Sequence, residues 1–375
     1  MKNYVLLVIT FLTFSCSEKE NSTENPLEQA LASENANIKR VMDNLEEHAV
    51  QIKFSRIKRE GEQISFKDYD FQVDSTNYFY PASTVKFPIS LLALAKLNTI
   101  EGMDRNSSFY IEGDSVITTF AKEIQKIFAV SDNAAYNRLF EFLGQDHINA
   151  ELKKIGIGPI RIAHRLSAPE AHEITTKPLI IYSNDSTTTT LTGTVNTTAE
   201  PLSLKYLEKG IGYIEEDSLI TAAFDFSLKN YYPIETQHEL LKTVLFPELY
   251  RSQEKIALTA EQLDFVQTAM HTVPRKAGYD AETYYDGYCK FFMYGDTKEN
   301  IPEYIHIYNK VGDAYGTLTD CAYIKDTEND VEFLLTATIL VNKNAVFNDN
   351  KYEYDTVGFP FMAELGRALY DYELN

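Results

Sequence analysis

Tyr80-Pro81-Ala82-Ser83-Thr84-Val85-Lys86-Phe87-Pro88-Ile89-Ser90-Leu91-Leu92-Ala93-Leu94 sets a hydroxyl and an amine three residues apart at the head of an apolar run. The run reads as a buried helix whose first turn carries Ser83. On a helix that spacing puts both side chains on one face. Pro88 kinks such a helix or marks its true first turn. A serine hydroxyl needs an adjacent base to become a nucleophile at neutral pH. Lys86 acts as that base only when burial or a second cation lowers its pKa. Backbone N–H groups at a helix N-terminus also favour the negative charge that develops during attack on a carbonyl. Two further strings follow in order, Ser131-Asp132-Asn133 and Lys310-Val311-Gly312, and Lys310 is a candidate second cation. Taken singly each string has an ordinary reading: a helix cap with a surface lysine, an Asx turn, a strand end before a turn.

Together, in this order, the three strings resemble the signature of serine β-lactamases and penicillin-binding proteins. Ser131-Asp132-Asn133 continues as Ala134-Ala135-Tyr136-Asn137-Arg138-Leu139-Phe140, similar to the class A branch. Lys310-Val311-Gly312-Asp313 is followed by Tyr315-Gly316-Thr317 and the strand-like Ala322-Tyr323-Ile324. The resemblance covers residues 26–375, with an enlarged and less familiar region at about 177–300. It implies a three-layer α/β/α fold of the β-lactamase/transpeptidase type and an acylation site. In that site Ser83 attacks, Lys86 takes its proton, Ser131 relays a proton to the leaving atom, Asn133 orients Lys86 and substrate, and Lys310 supplies positive field. Gly312 and Asp313 would face the substrate, with the backbone N–H groups of Ser83 and Asp313 as the oxyanion hole. No cofactor or metal is implied.

The residues themselves indicate an α+β chain. Helical spacing over 26–48, alternation in Val50 to Ile57 and Ile64 to Val73, and a mostly helical block to about 155 come first. Pro201 to Lys209, Leu240 to Phe246 and Ala260 to Met270 read as helices, and the polar stretch 183–199 as an exposed loop or strand edge. Tyr304 to Lys310, Thr317 to Lys325 and Val331 to Val341 read as strands, the last of them central, and Phe359 to Tyr372 as a closing helix. One antiparallel sheet built from both termini and packed against a helical block accommodates this order, with Lys310 on an edge strand beside the nucleophile. Tyr284-Tyr285-Asp286-Gly287-Tyr288 is an aromatic turn, expected to pack rather than to line a pocket.

Residues 1–16 read as a signal peptide, with an apolar stretch from Tyr4 to Phe14 too short to span a bilayer. Cys16 resembles the lipidated cysteine of a bacterial lipobox, and polar residues 17–25 suit a tether. A lipid-anchored place in the cell envelope, on the outer membrane, follows from that resemblance, with a monomer expected. The formal charge of −20 argues against nucleic acid and against unaided binding to an anionic membrane. Cys289 and Cys321 are equally compatible with a disulfide and with buried thiols. The seven histidines show no metal-ligand spacing.

Two departures bear on chemistry. In class A enzymes a loop glutamate activates the deacylating water. Here the loop reads His164-Arg165-Leu166-Ser167-Ala168-Pro169-Glu170-Ala171-His172-Glu173, where Arg165 matches but the following positions do not, leaving Glu170 or Glu173 as a possible base. Val311 stands where the family has threonine and supplies no hydroxyl for a substrate carboxylate, a loss of about 1.5–3 kcal/mol. The resemblance thus implies a serine acyl hydrolase acting on β-lactams or a related amide or ester. Its alternatives are a slow-deacylating D-Ala-D-Ala peptidase or esterase and a silent lipoprotein that binds cell-wall material. The substrate is accordingly a small molecule or a peptidoglycan-derived group.

Overall fold

The computed structural model describes residues 25–184 and 187–375. The leader, Cys16 and residues 17–24 of the tether lie outside the described residues. The main elements are β1 (Gln51–Glu60), β2 (Gln63–Phe71), α1 (Lys86–Leu97), α2 (Phe120–Val130), α3 (Asn133–Leu143), α4 (Ile234–Leu245), α5 (Ala260–His271), β3 (Ile305–Ala314), β4 (Thr317–Asp326), β5 (Val331–Leu340) and α6 (Phe359–Leu374).

The five strands form one antiparallel sheet in the order β3-β4-β5-β1-β2. β5 is therefore central, and the two ends of the chain meet there, with Ile52 opposite Ala337 and Phe54 opposite Leu335. Strands covered on both faces carry apolar residues at successive positions. Leu334 joins the core shared with α1, α2, α3 and α4. Phe333, Leu335, Ala337 and Ile339 join the core shared with α6 and Leu27 and Leu31. Helices thus cover both faces, which gives a three-layer α+β fold.

Several local expectations are corrected. Residues 26–48 form three short helices, Pro26–Leu31, Ala36–Met42 and Leu45–His48. The break has a clear cause: Asn25 and Asn35 each cap a new helix, accepting from Leu27 N and Asn37 N. Pro201 to Lys209 is not helical. Its backbone donates outward, from Leu202 N to Ser227 O and from Lys205 N to Thr76 O, and Glu208–Lys209 pairs with Phe224–Asp225. These partners outcompete a local helix. The block before residue 155 also holds a strand, Ser108–Ile111, that pairs with Leu179–Asn184, whose other neighbour is the exposed edge strand Thr187–Leu191. Cys289 and Cys321 are free and buried. The tyrosines at 279, 284, 285 and 288 pack edge-on against one another.

Candidate active site

Ser83 does not sit in an α-helix. Ala82–Val85 is a 3-10 turn, and α1 begins at Lys86, so Pro88 falls in its first turn, where proline is tolerated. Lys86 still lies one turn after Ser83 and is completely buried. Its Nζ lies 2.5 Å from Ser131 O, 2.7 Å from Asn133 Oδ1 and 3.3 Å from Ser131 Oγ. Burial first, and the charge of Lys310 second, push Lys86 well below the ordinary lysine range. A neutral amine has two N–H donors, which Ser131 O and Asn133 Oδ1 satisfy, leaving the lone pair to accept a proton.

The backbone around Ser131 explains how one short string meets this amine. Ser131 ends α2 in the left-handed region at φ 55°, and Asp132 caps α3 by accepting from Ala135 N at 2.7 Å. The chain thus turns sharply between two helices, and Ser131 O, Ser131 Oγ and Asn133 Oδ1 converge on Lys86. A left-handed serine costs of order 1 kcal/mol, which the packed helices hold in place. Behind the turn, Glu123 is buried and accepts from Thr118 Oγ1, Lys126 Nζ and Arg138 Nη1 at 2.6–2.9 Å.

Lys310 reaches the same serine from the edge strand β3. Its Nζ donates to Ser131 Oγ at 2.9 Å and to Val311 O at 2.7 Å, and burial lowers it to about 8. Gly312 is required by close approach. A Cβ there would come within 2.8 Å of Ser83 N and 2.9 Å of Thr84 N. The backbone of β3 therefore lies directly against the amide of Ser83. Asp313, the next residue, lines a cavity of about 460 Å³ together with Ser83, Asn133 and Ser167.

Glu170 is not part of that cavity. It is exposed and lines a separate one beside Arg138 and Glu141. The loop path accounts for this. Arg165 forks onto Glu141 at 2.6 and 3.0 Å and donates to Glu173 O and Thr175 O, while Arg165 N bonds to Ala171 O. Leu166 and Asn137 exchange hydrogen bonds at 2.8 and 2.9 Å. These anchors turn Ser167, at φ 48°, toward the nucleophile, where its Oγ accepts from Asn133 Nδ2 at 3.0 Å. Sequence reasoning missed Ser167; its place two residues beyond Arg165 was the available signal. Val311 belongs to the core shared with α6 and is 1% exposed, so it faces packing rather than the cavity.

The cavity's other wall was also missed. Tyr315 and Gly316 form the tight β3–β4 turn, both with positive φ, and Tyr315 meets Tyr80 edge-on at 4.9 Å. Tyr354 Oη accepts from Gly316 N at 2.8 Å and Tyr352 Oη from Asn348 N at 2.8 Å, which fixes both rings. Below them His164 is buried, with Nδ1 2.6 Å from Arg165 O and Nε2 accepting from Asn230 N. That pairing is the neutral imidazole, and burial lowers His164 to about 3.

Comparison with known proteins bears on the family and the fold. Residues 37–200 match the Beta-lactamase enzyme family model. A class A β-lactamase from Bacteroides cellulosilyticus DSM 14838 superposes with TM-score 0.52 at 13% identity, over 92% of this chain and 96% of that one. A β-lactamase from Desulfarculus baarsii DSM 2075 gives TM-score 0.52 at 15% identity over the same shares, 92% and 96%. At these identities the likeness is one of fold. No curated protein sequence matches the chain. Among the described residues no group of His, Cys, Asp and Glu is placed to hold a metal ion, and no helix is long and apolar enough to cross a membrane.

Proposed function

We propose that this chain, of the serine β-lactamase-related family, is a serine acyl hydrolase acylated at Ser83 and acting on β-lactams or a related amide or ester. The observation that carries the reading is the buried Lys86 amine, held by Ser131 and Asn133 with Lys310 on the far side of the same Ser131 hydroxyl. Ser83 Oγ attacks the carbonyl carbon and its proton passes to Lys86. The oxyanion is met by backbone N–H groups beside Gly312, at Ser83 and Asp313. The carbon–nitrogen or carbon–oxygen bond then breaks, and the leaving atom takes a proton through Ser131. Water hydrolyses the resulting ester in a second step.

A slow second step is favoured by one feature. The only carboxylate lining the cavity, among the described residues, is Asp313, and Glu170 lines another. This suits a slow-deacylating peptidase or esterase. Lipid anchoring through Cys16 at the cell envelope remains part of the proposal.

The test mixes the purified chain with a chromogenic cephalosporin and a fluorescent penicillin. Turnover supports a β-lactamase, and stable labelling without turnover the slow form. Ser83→Ala is expected to abolish labelling and turnover; labelling that survives the substitution contradicts the assignment.

A further inference from the structure

Lys310 is carried by an edge strand, and the other face of that strand holds a buried charged cluster that takes no part in the steps above. Side chains alternate along β3, so Asn309 and Val311 point to the face opposite Lys310. Val311 lies in the core shared with α6, and Asp320 of β4 stands opposite it in the sheet, on the same face. Asp320, Asn309 and Lys290 are 0%, 2% and 1% exposed. Asn309 bridges the two charges: its Oδ1 accepts from Lys290 Nζ at 2.6 Å, and its Nδ2 donates to Asp320 Oδ1 at 2.8 Å and to Cys289 O at 2.9 Å. Lys290 Nζ also donates to Met270 O at 2.6 Å, and Asp320 Oδ2 accepts from Phe291 N at 3.1 Å. Every hydrogen-bond partner of Asp320 among the described residues is an N–H donor. That suits an ionised carboxylate and leaves a carboxyl proton nothing to bond.

A buried carboxylate persists only when paired and hydrogen-bonded. Here the pairing reaches both sides of the strand, since Asp320 acts electrostatically on Lys290 and on Lys310. The titratable groups around Lys310 are Lys86 on α1, Cys289 and Lys290 ahead of β3, Asp313 on β3 and Asp320 on β4. Burial pushes the Cys289 thiol up to about 11, so it is uncharged near neutral pH. The anions are Asp313, which is exposed, and Asp320, which is enclosed and fixed at both oxygens. The edge strand β3 has β4 as its sheet neighbour, and its outer backbone lies against Ser83. The Asn309 bridge therefore ties that strand by a side chain one residue from Lys310. We propose that Asp320 is a positioning residue for the acylation site: through Asn309 it ties the stretch of β3 that carries Lys310, and its negative charge keeps Lys310 cationic beside Ser131. This inference rests on the proposed acylation at Ser83 and adds a residue that governs it from behind the strand. Asp320 does not line the cavity, so it acts through Lys310.

The test titrates Lys310 itself by nuclear magnetic resonance, in the full chain carrying Ser83→Ala and lysine labelled with carbon-13 at Cε. The Lys310 signal is the one lost in Lys310→Arg. Asp320→Asn is expected to lower its titration midpoint by about half a pH unit or more. An unmoved or raised midpoint overturns the inference. With Ser83 intact, the rate of labelling by a fluorescent penicillin gives a second comparison. The alkaline limb of its pH profile is expected to move down in Asp320→Asn, and not to move in the Lys310→Arg background, where the charge does not titrate. A limb that stays in place, or moves equally in Lys310→Arg, overturns the inference; a merely structural role lowers the rate without moving the limb. Asp320→Ser, smaller and equally neutral, repeats the titration, with the fold of each variant checked by circular dichroism. If neither variant folds, Asp320 is a structural residue only and the inference falls. The resonance titration does not depend on Ser83, and labelling of the unsubstituted chain decides the acylation separately.

Discussion

At the scale of single residues the account turns on two lysines with different protonation. Acylation requires neutral Lys86, so the rate rises with pH as Lys86 loses its proton, well below the ordinary lysine range. The positive field of Lys310 is lost as pH rises through about 8, so the rate falls again there. The profile of acylation rate against pH is therefore expected to be bell-shaped, with its maximum below about 8. Lys310→Arg keeps its charge at all these pH values and should remove the alkaline limb while leaving the acid limb. An unchanged alkaline limb would assign it to another group. The same lowering affects stability: between about 8 and the ordinary 10.5 the unfolded chain binds a proton at Lys310 that the folded chain does not, so this group's contribution rises with pH across that window. Ser83, Lys86, Ser131, Asn133 and Lys310 were legible in the sequence because fixed short spacings encode them. Ser167 and Tyr352 were not, since each reaches the cavity through the path of a loop, and no local spacing encodes a loop path.

At the scale of elements, the site depends on how α3 holds the loop after Arg165. The side chains of Arg165 and Glu141 are 7% and 8% exposed and are joined by two hydrogen bonds, while Glu141 also accepts from Lys177 N. Glu141→Ala leaves a buried guanidinium without its carboxylate, a loss of roughly 3–5 kcal/mol. Chemical denaturation should show that drop. A change below 1 kcal/mol would mean that the loop is held by its backbone bonds alone. Elements with strong apolar periodicity, α4, α5 and the three C-terminal strands, were read correctly in kind. Pro201 to Lys209 was misread because its backbone partners, Ser227 and Thr76, are distant in sequence. The 3-10 turn at Ser83 was missed because Gly312 presses on it from β3, a contact between residues far apart in the chain.

At the scale of the whole molecule, the sheet unites the first and last strands of the domain, and this brings Lys310 to a nucleophile more than two hundred residues earlier. The antiparallel sheet and its helical cover followed from strand patterns at both ends with helices between. The tyrosine-lined cavity did not, because its walls come from five separated segments. On the proposed reading Ser83 is acylated, and among the described residues no glutamate from the Arg165 loop lines the cavity. Release of a coloured leaving group from an activated ester should therefore show a rapid burst followed by a slow steady phase. The most direct measurement combines that burst with mass spectrometry of the p-nitrophenyl acetate-treated chain and its proteolytic peptides. The account predicts one equivalent of p-nitrophenolate per chain and a single acetyl group on the peptide containing Ser83, both absent in Ser83→Ala. A burst of equal size in Ser83→Ala, or acetylation confined to other residues, would contradict it.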